Sequence, residues 1–303
     1  MKRIDAHLHL AKVVAGYCRR GESRAIGNGY AAWGNGEEWL LFPQNGEYGE
    51  TNFTAEMALA LMDKNDVERA VLMQGSMYGF QNRYHQELLE KYPDRFCPTC
   101  TIDPYMTNAV DTMEHFFDIG FHAAKYEVSS GGGLMGCHAP FSLSGPEMMP
   151  LYKIAEKHHG VVALDVGDIT MPSHQPENLA RIADTCPDLK LVICHLLAPM
   201  DGYEKELEFS LRLLSKPNVW FDIAAIPKIV GGEYPYAKAH SILKNAKEIL
   251  GADRLLWGTD APFAATQDTY THLADYLLKG DAFTEEELQK VYYDNAKKVY
   301  FDK

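Results

Sequence analysis

Apolar positions in this chain fall into two alternating rhythms. Short runs rich in Val, Ile, Leu and Ala, bounded by Gly, Pro or charged residues, predict strands over 3–10, 69–73, 96–102, 123–128, 161–166, 190–195, 219–223 and 254–259. Stretches with helical spacing predict helices over 54–65, 82–91, 108–119, 146–159, 176–185, 203–214, 237–250, 266–278 and 284–300. Thr54 is placed to cap the first of these, whose apolar stripe is Met57, Ala58, Leu61 and Met62. Two stretches follow neither rhythm. Residues 11–51 mix glycines with Tyr17, Tyr30, Trp33, Trp39 and Tyr48, an aromatic content that argues against disorder. This stretch is expected to be irregular and to fold over a site as an insertion. Residues 129–145 contain Gly131, Gly132 and Gly133 without the Gly-Lys-Ser/Thr ending of a phosphate loop, so they are expected to form a flexible loop.

Eight strands, each followed by a helix, call for parallel pairing through helical crossovers. That number favours a closed (β/α)8 TIM barrel over an open doubly wound sheet. No Gly-x-Gly-x-x-Gly follows the first strand, which also weighs against a dinucleotide-binding sheet. One domain over 1–303 is expected, with 11–51 lying over the barrel mouth.

Composition narrows the function. The chain has 303 residues, is 46% hydrophobic and carries a net charge of −13. The acidity argues against nucleic acid and anionic membranes as partners, but leaves room for a local cationic site. No run of about 18 apolar residues occurs, so no membrane span is expected. The start of the chain leads directly into the first strand, so the cytoplasm is the expected compartment. The six cysteines are expected to be reduced thiols. Cys97 and Cys100 lie three apart in a strand and face opposite sides, which speaks against chelation by that pair.

Candidate chemistry begins in the first strand, Ile4-Asp5-Ala6-His7-Leu8-His9. His7 and His9 are two apart, share a face, and can hold one cation through their ring nitrogens. In a barrel of this type reactive groups gather at the C-terminal ends of strands. There the chain places Lys125 and Glu127 (fourth strand), Asp165 (fifth), His195 (sixth) and Asp260 (eighth). Imidazoles and carboxylates from separate strands form a mixed donor set suited to one divalent ion: zinc first, manganese or iron as alternatives. Asp165 and Asp260 follow apolar runs, and each needs a cation, a hydrogen-bond network or a helix N-terminus. The bland alternatives are an N-cap for Asp260 before Pro262 and a core imidazole for His195. Lys125 reads as an ion-pair partner of Asp165 rather than a carbamylated metal ligand, and is also a candidate substrate-binding cation. Arg19, Arg20 and Arg24 in the insertion could each fork onto a substrate carboxylate, or be solvated surface residues.

Together with Pro187-Asp188-Leu189-Lys190-Leu191-Val192-Ile193-Cys194-His195 and Trp257-Gly258-Thr259-Asp260-Ala261-Pro262-Phe263, the first strand resembles the amidohydrolase-related superfamily over nearly the whole chain. Within it the nearest resemblance is to the branch containing aminocarboxymuconate-semialdehyde decarboxylase and related hydrolases. The resemblance implies that His7, His9 and Asp260 ligate a metal and that His195 acts in catalysis or ligation. It also implies a histidine ligand on the fifth strand, where this chain has Asp165. The expected activity is metal-dependent hydrolysis of a small, anionic, cyclic or carbonyl-containing substrate. Asp260 would take the proton of the activated water and His195 would stabilise or protonate the oxyanion. Non-oxidative decarboxylation of an unsaturated or aromatic acid is the alternative, and a non-catalytic ligand-binding barrel the second. A homodimer is compatible with each.

Overall fold

Short apolar strands whose side chains point in turn to two buried faces decide the architecture. The computed structural model describes residues 1–302. Twelve strands are present: β1 Arg3–His9, β2 Ala15–Cys18, β3 Gly21–Gly27, β4 Tyr30–Trp33, β5 Glu38–Leu40, β6 Val67–Met73, β7 Phe96–Cys100, β8 Ala123–Glu127, β9 Val161–Asp165, β10 Lys190–Ile193, β11 Val219–Asp222 and β12 Leu255–Leu256. Eight of them form one parallel sheet in the order β1-β6-β7-β8-β9-β10-β11-β12. The ends of this sheet meet just beyond β12. Ala6 N–H donates to Trp257 O at 2.9 Å, His9 N–H to Ala261 O at 2.8 Å, and Leu8 bridges Ala261. The result is the expected TIM barrel.

Residues at alternate positions divide between two apolar clusters. Val161 and Ala163, Val192 and Cys194, Val71 and Met73, with Ile4, Ala6, Trp220 and Leu256, fill the barrel interior. Their neighbours Val162, Leu164, Leu191, Ile193, Leu72 and Phe221 face the helices. Ala296, Val299 and Tyr300 from the end of the chain join the inner cluster. The same alternation carries Lys125 and Glu127 on β8, Asp165 on β9 and Asp222 on β11 inward at the C-terminal rim.

The helices are α1 Ala55–Lys64, α2 Asn82–Lys91, α3 Ala109–Asp118, α4 Leu134–Cys137, α5 Met149–Lys157, α6 Pro176–Thr185, α7 Glu204–Leu213, α8 Ile226–Val230, α9 Ala237–Leu250, α10 Tyr270–Asp275 and α11 Glu285–Gln289. Two begin later than their pattern predicts. Before α5, residues 145–148 form a turn in which Met148 N–H donates to Gly145 O. Ahead of α10, Thr269 is the cap, its hydroxyl accepting from His272 N–H. Thr284 and Glu287 form a capping box at α11, after which the chain winds more widely through Lys290–Asp294 and Lys297–Phe301. Among the described residues no helix is long and apolar enough to cross a membrane, and none of the six cysteines is joined in a disulfide.

The insertion differs from expectation. It holds an antiparallel sheet, β2-β3-β4-β5, where the sequence suggests irregular chain. Its strands alternate: Gly16, Cys18, Ala31 and Trp33 are buried, while Ala15, Tyr17 and Tyr30 are exposed. Arg19 and Arg20 form the two-residue tip of the first hairpin. The second turns through Asn28 and Gly29, both at positive φ, as the favoured two-residue turn requires. The sheet is fastened to the loop after β6: Ala15 N–H donates to Tyr78 O and Tyr17 N–H to Ser76 O. A side chain at Gly16 would stand 2.1 Å from Met77 O, so only glycine permits this approach.

Candidate active site

His7 and His9 reach the inner face through a register irregularity between Asp5 and Leu8. Ile4 and Ala6 belong to the inner cluster and Leu8 to the outer one, so the phase shifts and both imidazoles point inward. Their Nε2 atoms stand 3.1 Å apart. Asp260 Oδ1 lies 3.1 Å from His9 Nε2 and 3.6 Å from His7 Nε2. Ligand atoms of His7, His195 and Asp260 all fall within 4.8 Å of one another.

Two buried aspartates hold this cluster. Asp5 sews β1 to the end of the barrel, accepting from His7 N–H at 3.1 Å, Thr259 N–H at 2.9 Å, Thr259 Oγ1 at 2.6 Å and Tyr270 OH at 2.9 Å. Burial still pushes its carboxyl up to about 6. Asp222 accepts from His7 Nδ1–H at 3.0 Å and from the backbone N–H of His195 at 2.9 Å. Burial opposes its charge, but His7 and His195 outweigh that and hold it down at about 2. With Nδ1–H donated to Asp222, His7 presents the lone pair of Nε2 to the cluster, as a metal-binding imidazole requires. His7, Cys194 and Asp222 also approach one another, but Asp222 is already engaged by these hydrogen bonds.

Asp260 and His195 both sit in left-handed backbone, with φ of 57° and 55°. Non-glycine residues in that region cost about 1–2 kcal/mol each, strain that concentrates at functional sites. Gly258 lets the eighth strand approach closely, since a side chain there would lie 2.8 Å from His7 N. Asp260 N–H donates to His7 O at 2.7 Å, fixing the carboxylate over the histidines. His195 gives Nδ1–H to Ala224 O at 3.0 Å and turns Nε2 toward Asp165 at 3.4 Å. Burial would lower the imidazole, but Asp165, Asp222 and Asp260 overcome it and push His195 up to about 10. His9 goes the other way, to about 4, because burial dominates. Its ring stacks on Tyr78 at 4.9 Å.

The remaining predicted residues separate. Asp165 is turned onto Lys125 Nζ at 3.8 Å and His195 Nε2 at 3.4 Å, the ion-pair arrangement that the sequence left open beside ligation. Lys125 is buried, and Cys194, Asp165, Glu127 and Asp222 favour its charge against the cost of burial. Arg20 pairs with Glu37 at 2.8 Å, both exposed. Arg24 donates to Gly16 O and Ser23 O within the insertion. Arg19 forms no ion pair among the described residues. It lines a cleft of about 670 Å³ with Arg20, Trp33, Met77 and Gly132, between the hairpin tip and the loop after β8. Asp222 and Tyr78 were not singled out from the sequence. Asp222 had the same signal as Asp165, an apolar run ending in aspartate; Tyr78 had none.

A cluster of imidazoles and a carboxylate at the C-terminal mouth of a parallel (β/α)8 barrel is a donor set consistent with a divalent metal ion. The chain matches the amidohydrolase family over residues 4–301 and belongs to it. No curated protein matches the chain. Among solved structures, an amidohydrolase of Burkholderia multivorans with bound zinc has 14% identity, 99% coverage of each chain and a TM-score of 0.74. A probable 2-pyrone-4,6-dicarboxylic acid hydrolase of Acinetobacter baumannii with bound citric acid has 17% identity, 99% coverage of each chain and a TM-score of 0.68. A Rhizobium 2,6-dihydroxybenzoate decarboxylase has 17% identity, 82% and 88% coverage and a TM-score of 0.60. The chain is an enzyme of the amidohydrolase type, and both hydrolases and decarboxylases share its fold.

Proposed function

We propose that this protein hydrolyses a small, anionic, cyclic or carbonyl-containing substrate with the help of one divalent metal ion. The observation that carries the proposal is the convergence of His7 Nε2, His9 Nε2 and Asp260 Oδ1 within 3.6 Å of one another, backed by the Asp222 bond that fixes the His7 tautomer. The donor set fits a divalent cation: His7, His9 and Asp260 would hold it, with His195 beside them. Two imidazoles favour zinc, with manganese or iron as alternatives. Such an ion supplies Lewis acidity, polarising a substrate oxygen and easing the ionisation of water. Asp260 is placed to accept the proton of the attacking water. Despite burial, its carboxyl is held below the usual range by His9, His195 and His7. His195 has spent Nδ1–H on Ala224 O, so Nε2 is the atom that can donate to a developing oxyanion. Arg19 on the cleft wall is a free fork for a substrate carboxylate.

Decarboxylation would use the same residues, with the carboxylate drawn to the cluster and a side chain protonating the carbon. The deciding experiment is a product assay. Metal-stripped protein is reloaded with zinc, manganese or ferrous iron and offered 2-pyrone-4,6-dicarboxylate and 2,6-dihydroxybenzoate. Metal-dependent acid release from the pyrone without carbon dioxide supports hydrolysis. Carbon dioxide from the benzoate overturns it in favour of the lyase.

A further inference from the structure

Lys228 lies on α8, the short helix after β11. Its ammonium stands 4.2 Å from the centre of the Phe263 ring and donates to Thr266 Oγ1 at 3.1 Å. Phe263 and Thr266 follow directly on Asp260, so this lysine is anchored to the segment that carries a central residue of the site. Lys228 is half-buried, and burial of its ammonium is partly offset by the charge of Asp260. Among the described residues it has no ion-pair partner. Among other lysines that are half-buried or deeper, Lys125 faces Asp165, Lys216 faces Asp184 at 2.8 Å and Lys247 faces Glu287 at 2.9 Å, while Lys190, also without an ion pair among the described residues, spends its donors on the carbonyls of Lys298, Val299 and Asp302. The chain has 42 acidic and 29 basic residues, so carboxylates are in ample supply. A partly desolvated ammonium with one hydroxyl and one ring face keeps donors to spare and lacks a counter-charge.

Its surroundings lead back to the cleft. Trp39 of the insertion meets Phe263 edge-on at 5.7 Å and stacks on Trp33 at 5.1 Å. Trp33 lines the cleft that holds Arg19. The ammonium therefore stands at one end of a row of rings, Phe263, Trp39 and Trp33, that joins the segment after the eighth strand to the insertion and its cleft. We propose that Lys228 receives a carboxylate of the substrate that takes no part in the reaction. The substrate class is then a carbonyl compound or ring acid with a second, remote carboxylate. This deepens the function proposed above and rests on the cluster around Asp260 being the reaction centre.

The test uses zinc-loaded protein and two probes, benzoate and benzene-1,3-dicarboxylate, titrated calorimetrically into wild type, Lys228→Met and Lys228→Arg. Wild type should bind the diacid about tenfold or more tighter than the monoacid, in keeping with one charge-assisted hydrogen bond. Lys228→Met should erase that preference, and Lys228→Arg should retain it. No diacid preference in wild type, or an undiminished one in Lys228→Met with native circular dichroism, overturns the proposal. Elemental analysis of the same samples, and of wild type loaded with manganese or ferrous iron, reports separately on the centre. Wild type that holds none of zinc, manganese and ferrous iron overturns the functional reading; full metal without diacid preference overturns only the role of Lys228.

Discussion

Asp165 offers the sharpest test of how this barrel departs from a histidine-rich site. Its carboxylate lies 3.8 Å from Lys125 Nζ, with Lys125 itself 1% exposed. At that separation and an effective dielectric of about 20, two unit charges attract by about 4 kcal/mol. Glu127 and Asp222 also favour the Lys125 charge, so part of this survives when Asp165 is neutralised. Asp165→Asn should therefore destabilise the fold by about 3 kcal/mol, near the lower end for a broken buried pair. For a chain of this length that is a fall in Tm of about 5 °C. Asp165→His should fall as far or further, since it can bring a second cation beside Lys125. Metal content should hold in both variants, because His7, His9 and Asp260 are untouched. Thermal unfolding and elemental analysis on the same preparations decide the matter. A variant that loses metal at an unchanged Tm would refute the ion-pair argument and make Asp165 a ligand.

Three further outcomes are expected. His7→Ala and His9→Ala should each lose bound metal with native circular dichroism; retention of metal in both removes these residues from the ligand set. On the true substrate, Arg19→Ala should lower kcat/KM by about 1.5–3 kcal/mol, the range for a hydrogen bond to a charged group, while Arg20→Ala and Arg24→Ala stay near wild type. Equal effects for all three would show that the partners Glu37 and Gly16 do not occupy their guanidinium groups. His85 is fully buried, gives Nδ1–H to Thr99 O at 2.7 Å, and is driven down to about 4 by burial. Its folded pKa lies below the unfolded value of about 6.5, so its stabilisation is complete above that pH and is lost as pH falls toward 4. The loss is about 3 kcal/mol. Urea unfolding should show a shallower acid limb in His85→Leu than in wild type.

The barrel was legible because its signal is local and repeated. Buried strands such as Val161–Asp165 are continuous apolar runs, and each is separated from the next by one helical stripe. The insertion was not legible because its strands are three to seven residues long and rich in glycine, which dilutes the alternation. One cue was present and outweighed by the surrounding glycines: Asn28-Gly29 flanked by Ala25 and Ala31 is a hairpin signal. The cue that decided the sheet's position, the closeness of Gly16 to Met77 O, is a tertiary contact that no local pattern encodes.

For the site, strand-end position told which residues could meet but not how each would be used. Lys125, Asp165, His195 and Asp260 all follow apolar runs and all reach the rim. Their division into an ion pair and a donor cluster depends on backbone turns beyond the strands. His195 begins a run of four residues with positive φ, ending at Ala198, and Asp260 is left-handed as well. Those turns aim His195 and Asp260 back over His7, whereas Asp165 continues in strand geometry beside Lys125. Three arginines of equal promise in the sequence became unequal for a similar reason. Arg20 and Arg24 found partners within the insertion, whereas Arg19 faces the cleft. A charged residue's role is therefore set by what the fold leaves unpaired, the criterion that also singles out Lys228.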